Sequence, residues 1–247
     1  MSNFLAGIIG SLLAGLATAI GGVPVLFSKV YSRKVLDTML GFSAGVMLAA
    51  TAFSLLVPAI RTGGVWKTSI GVVMGSIFVE LVDRYIPHEH FFRGHEGPPS
   101  HLKKIFLLMI AITIHNFPEG MAVGVGFGSG NFGMATSLAI AIGIQNIPEG
   151  SAVAMPLLKM GFSKQKAFLF ALLSGLVEPL GGLIGAGIVS FTSRLLPYMM
   201  GFAAGAMIYV ISDEMIPESH SEGNEKNATF GVISGFLVMM ILDNIFG

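Results

Sequence analysis

The chain has no cysteine and little charge. Among its 247 residues Cys is absent, and charged residues make up only 11%. The first absence excludes disulfides and thiolate metal sites, and leaves His, carboxylate and amide side chains as ligands. The second excludes an ordinary soluble domain, in which about a quarter of residues are charged. The 14 Lys and Arg balance the 14 Asp and Glu, so no excess of charge points to nucleic acid as a partner. There is no G-x-x-x-x-G-K-[ST], so the chain has no phosphate-cradling loop of its own for ATP-driven pumping. Lys and Arg are also missing from the opening M-S-N-F-L, so no basic segment precedes the first apolar run. The first apolar run therefore reads as a retained helix rather than a signal peptide.

Apolar residues take the place of charge. They make up 53% of the chain, with 33 glycines among the rest, in runs of about 20 residues that each suffice to cross a bilayer as a helix. The pattern predicts an all-α, multi-pass protein of the cell (inner) membrane with eight transmembrane helices. They cover Phe4–Phe27, Leu36–Ile60, Thr68–Ile86, Ile105–Phe127, Met134–Leu157, Ala167–Phe191, Leu195–Ile216 and Phe230–Phe246. A hydrophilic loop, P-H-E-H-F-F-R-G-H-E-G-P-P-S-H, spans Pro87–His101. Lys and Arg fall mainly in loops 1–2, 3–4, 5–6 and 7–8, eleven residues against Arg61, Lys67 and Arg194 on the other side. The positive-inside rule then puts both termini outside and the His-bearing loop in the cytoplasm.

An internal repeat organises these helices. Shifted by 160 residues, L-L-A-G-L-A-T-A-I-G-G (Leu12–Gly22) falls on L-L-S-G-L-V-E-P-L-G-G (Leu172–Gly182). At the same offset G-F-S-A-G-V-M falls on G-F-A-A-G-A-M, G-V-V-M-G on G-V-I-S-G, and Asp83 on Asp243. Helices 1–3 thus recur as helices 6–8, an odd number of crossings later, so the copies run in opposite senses. Helices 4 and 5 form a second inverted pair. The expected plan is a 3+2+3 inverted repeat, as in secondary transporters whose sites lie near the midplane where the halves meet. The expected organisation is one transporter domain over 1–247, with helices 1–3 in 1–86, the loop in 87–104, helices 4–5 and the metal site in 105–157, and helices 6–8 in 167–246.

The middle pair carries the chemistry. Helix 4 reads I-A-I-T-I-H-N-F-P-E-G and helix 5, thirty residues on, I-A-I-G-I-Q-N-I-P-E-G. His115 and Glu119 are four apart, as are Gln145 and Glu149, which sets each pair on one helix face. An ionisable group inside an apolar span is costly, and by default functional. Pro118 and Pro148 remove helical hydrogen bonds, so kinks are expected beside each Glu. Glu178 of helix 6 also lies about midway across, before Pro179. Three buried carboxylates in one place repel unless cations join them. With His115, Asn116, Gln145 and Asn146 they have the donors for one or two divalent ions. Taken singly, the His reads as a buried neutral side chain and the Glu residues as protonated helix-to-helix bonds; the duplicated constellation favours metal.

H-N-F-P-E-G and Q-N-I-P-E-G resemble the signature helices of the ZIP (Zrt/Irt-like) family of metal transporters, in particular its prokaryotic GufA-like branch. The likeness covers nearly the whole chain. It implies import of divalent metals, chiefly zinc, as substrate through a two-metal site by alternating access, with no cofactor and no enzymatic activity. One metal would take His115, Glu119, Gln145 and Glu149. The second would take Asn116, Asn146 and Glu178, with Glu119 and Glu149 bridging. Many zinc-importing members have His where this chain has Gln145, a harder and weaker ligand, so iron, manganese, cobalt and cadmium also come into view. By the same resemblance Asp83, His88, His90, Asp213 and Glu214 would form the release route, and Asp243 would gather ions at the entrance. A homodimer is compatible with this plan. The rival from another class, an intramembrane metallohydrolase, needs an open metal position and a general base, and the chain has no H-E-x-x-H.

Overall fold

The computed structural model describes residues 2–90 and 94–246. Among the described residues eight long helices dominate: α1 Asn3–Leu26, α2 Arg33–Gly63, α3 Val65–Tyr85, α4 Lys104–Gly128, α5 Phe132–Lys159, α6 Lys164–Phe191, α7 Ser193–Ser219 and α8 Glu225–Phe246. A short antiparallel hairpin, β1 His88–His90 paired with β2 Gly94–Glu96, follows α3. All except α5 are long and apolar enough to span a bilayer. Helix α5 has the length, at 28 residues, but its middle holds Gln145, Asn146, Pro148 and Glu149. It tolerates them because α1 and α2 cover it. The chain is an all-α membrane protein.

Helices start where side chains can cap them. Ser2, Ser32, Asn131 and Ser163 each accept a hydrogen bond from the backbone N–H three residues on, opening α1, α2, α5 and α6. The breaks in regular helix lie beside prolines other than Pro118 and Pro148. Helices α4 and α5 stay α-helical through Pro118 and Pro148. Irregular backbone lies instead in α2, α6 and α7. Thr51–Leu56 and Ile211–Met215 are π-helical: the Val57 and Ile216 N–H groups reach back five residues, to Ala52 and Ile211. Each segment leads into a proline, Pro58 or Pro217, whose missing N–H disturbs the regular ladder. Helix α6, expected to be continuous, breaks between Gly175 and Glu178. Pro179 cannot donate to the Gly175 carbonyl, and Gly175 is pressed against Gly15.

Glycine sets the packing. On α2 and α8, Gly41 and Gly45 lie against the carbonyls of Ala228 and Val232, and Gly231 and Gly235 against those of Thr38 and Phe42. On α7 and α3, Gly201 and Gly205 lie against Thr68 and Val72, and Gly71 and Gly75 against Tyr198 and Phe202. Any side chain at these positions would collide with backbone, so the helices meet at main-chain distance. The same pairing joins α1 to α5, with Gly150 on the Thr18 carbonyl, and α6 to α4, with Gly120 on the Glu178 carbonyl. Helices α2 and α7 are largely covered, 67% and 61% buried over their apolar windows, whereas α3 and α8 are only 22% and 17% buried, so the latter two form the outer walls. Both chain ends sit at one end of the bundle: Asn3 is next to Gly130, and the Phe246 carbonyl is next to Gly133. The hairpin occupies the other end.

Candidate metal centre

Where α4 and α5 pass α1 and α6, polar side chains replace the apolar core. Asn116, Glu119, Gln145, Asn146 and Glu178 are each 2% exposed or less. The asparagines are aimed by the backbone. Asn116 Nδ2 donates to the Ser174 carbonyl at 2.9 Å, and Asn146 Nδ2 to the Ala14 carbonyl at 2.8 Å. Asn146 Nδ2 also donates to Glu178 Oε1 at 2.6 Å. With its nitrogen so engaged, Asn146 turns its oxygen the other way. Glu178 heads the second segment of α6, so the break in that helix places its carboxylate at a helix start.

The oxygens are left over. Among the described residues Glu119 Oε2, Glu149 Oε1, Glu178 Oε2, Asn146 Oδ1 and both polar ends of the Gln145 amide are buried with no hydrogen-bond partner. Buried polar atoms are nearly always paired, and each exception asks for a reason. The three carboxylates lie within electrostatic reach of one another. A cluster of unpaired acceptors with like charges suits a cation. In this arrangement no three His, Asp or Glu side chains of the described residues gather as a metal-ligand group. His115 Nε2 contacts Glu214 Oε2 of α7 instead.

A cavity of about 60 Å³ leads from these groups towards the hairpin end. His115, Asn116 and Glu149 line it, with Thr18 and Ser174 at its depth and Glu89 and Glu218 further out. Glu214, expected along the release route, stands level with His115. Asp83 lies within electrostatic reach of Glu214, Asp213 and Glu96. His88 is 1% exposed; its Nδ1 donates to the Ile86 carbonyl at 2.8 Å, and its Nε2 is 3.8 Å from Asp83 and 3.7 Å from Glu96. Glu89 pairs with Lys104. The His90 backbone pairs with Gly94; its side chain falls outside the described residues. Asp243 is at the opposite end, accepting from Ser54 Oγ at 2.8 Å over a separate cavity of about 460 Å³ that Arg61 and Asn131 also line. Sequence reading assigned no role to Glu218, which follows Asp213 and Glu214 near the end of α7, or to Ser54. Glu218 had a signal, as Pro217-Glu218 is the third Pro-Glu step in the chain after those of α4 and α5.

A family model described as the ZIP zinc transporter matches residues 93–243. The chain is 42% identical to the zinc transporter GufA of Myxococcus xanthus, over 96% of this chain and 98% of that protein. It is 42% identical to the zinc transporter ZIPB of Bordetella bronchiseptica, over 97% and 81%. To the zinc transporter ZIP11 of Homo sapiens it is 36% identical, over 98% and 97%. The chain belongs to the ZIP family. It is a multi-pass membrane transporter, and the metallohydrolase alternative is set aside with that assignment.

Proposed function

We propose that this ZIP protein carries divalent metal cations, zinc first among them, into the cytoplasm through a two-metal site. The observation that carries the reading is the set of buried, unpaired oxygens on Glu119, Glu149, Glu178, Gln145 and Asn146. One ion takes His115, Glu119, Gln145 and Glu149; the second takes Asn116, Asn146 and Glu178, with Glu119 and Glu149 shared. Cations remove the repulsion among the three carboxylates, and the amides complete the coordination with neutral oxygen. Gln145 in place of an imidazole loosens the preference for zinc and admits iron, manganese, cobalt or cadmium.

Transport runs by alternating access within one domain built as a 3+2+3 inverted repeat. The glycine contacts support the repeat: Gly41 on Ala228 becomes Gly201 on Thr68 when each partner moves by 160 residues, forward in α2 and back in α8. Helices α1, α4, α5 and α6 move against α2, α3, α7 and α8. Interfaces that the repeat makes equivalent are unequally closed, which supports such motion. Helix α5 packs along α2 and α8, while an apolar cleft of about 260 Å³, walled by Phe78, Val79, Ile110 and Phe117, separates α3 from α4. The cavity reaching His115 opens at the hairpin end, which the excess of Lys and Arg makes cytoplasmic. That end receives Asp83, His88, Asp213 and Glu214 as the release route, and Asp243 serves the entrance.

The test is uptake into proteoliposomes loaded with a zinc-sensitive dye. Saturable zinc entry in wild type, lost in Glu149→Ala at matched protein content, is the expected result. Uptake by the variant at the wild-type rate would remove Glu149 from the site, and no uptake by either protein would remove the function.

A further inference from the structure

Most helix contacts in this fold occur twice. The network around Arg33 does not. Arg33, in the first turn of α2, places Nε 2.7 Å from Asp37 Oδ1. Asp37 is fully buried, and its other oxygen accepts from Asn224 Nδ2 at 2.9 Å. Arg33 Nη2 also donates to the Glu218 carbonyl at 3.5 Å and to Ser221 Oγ at 3.4 Å. The start of α2 is thereby stitched to the corner between α7 and α8, from which Glu218 faces the cavity that His115 and Glu149 line. The charges of Arg33 and Asp37 both reach the Glu218 carboxylate. Under the repeat, Arg33, Asp37 and Asn224 correspond to Ser193, Pro197 and Gly64, none of them charged. A buried ion pair contributes little net stability, because desolvation offsets the attraction. Its presence at one mouth alone, against a cavity-lining carboxylate, therefore has to be sought in transport.

We infer that Arg33, Asp37 and Asn224 are positioning residues that hold Glu218 as the carboxylate receiving a divalent cation after it leaves His115 and Glu149. The inference rests on the transport reading above. Glu218 is four residues beyond Glu214, which contacts His115, so the two acids form successive steps outward along α7. The clamp binds only elements of the set read as stationary, and so keeps Glu218 in place while the central site moves past it.

Zinc uptake by proteoliposomes tests this. Asp37→Asn and Glu218→Gln should each slow maximal uptake about tenfold, the usual scale for losing an outer partner of a metal ligand. KM for external zinc should stay within about twofold, since the central site keeps its ligands. The double variant D37N/E218Q should be no slower than either single one; multiplied effects would overturn the inference. A second variant, R33M/D37L, replaces the pair with apolar side chains. It should melt near wild type yet still transport about tenfold more slowly; recovery of wild-type uptake would make the pair structural only. Zinc titrated into purified protein needs no flux. D37N and E218Q should lose the same weak zinc equivalent, and the double variant no more. If wild-type vesicles carry no zinc, the transport reading falls, and this titration still decides the clamp: equal zinc binding by all variants sinks it.

Discussion

Set against each other at an offset of 160 residues, the two mouths of the bundle differ in side chain. At one, Ser54 donates to Asp243 beneath a wide cavity. At the other, the repeat sets Glu214 where Ser54 stands and Asp83 where Asp243 stands, and His88, Glu96, Glu89 and Glu218 join them. The π-helical turns that aim these residues also correspond, Thr51 to Ile211. On the proposed repeat the frame is common to both halves, and the proposed direction of transport comes from the side chains that differ between them. In the proposed route the acid-rich mouth offers a departing cation successive weak sites, and one carboxylate at the other mouth attracts ions.

The largest effect should come from the part that belongs to neither mouth. Glu149→Ala should reduce zinc uptake by about a hundredfold or more, and His115→Ala by about tenfold, because each removes a proposed direct ligand. Next come the shared contacts. Gly45→Leu and Gly205→Leu press on the carbonyls of Val232 and Val72. Each should destabilise by about 3 kcal/mol, and the two melting temperatures of purified protein should fall alike; a large difference would break the equivalence of the halves. The mouths should then diverge. Glu214→Gln should slow maximal uptake about tenfold, whereas Ser54→Ala, which removes one hydrogen bond to Asp243, should change it by about twofold or less. Equal losses at both ends would erase the direction argued here. The smallest change is in selectivity. Gln145→His should raise the preference for zinc over manganese about threefold in competition uptake; an unaltered profile would count against Gln145 as a ligand.

Much of this was legible before any coordinates. Seven of the eight helices follow from hydropathy and length, and the 160-residue offset reappears as contacts between particular glycines and carbonyls. The seven residues assigned to the site share one region of the bundle, although His115 turns to Glu214. The irregular segments of α2, α6 and α7 were not foreseen. Pro118 and Pro148 lie inside α4 and α5, and π-helical or broken backbone appears ahead of Pro58, Pro179 and Pro217. A proline marks a lost hydrogen bond, but the neighbours decide whether the backbone bends, widens or breaks. Glu218 received no role, although it follows Asp213 and Glu214 at the same end of α7.

Hydropathy, spacing and the repeat were enough to expect eight helices and to mark the acids of α4 and α5, since these are properties of a stretch of chain read against the bilayer. The meeting of His115 with Glu214, 99 residues apart, and the capture of Glu178 by Asn146 were decided only in three dimensions. So were the one-sided cavity and the clamp around Asp37. Such contacts depend on how far each helix slides and turns against its neighbours, and that is the joint outcome of many main-chain approaches at glycine, none of which a single segment encodes.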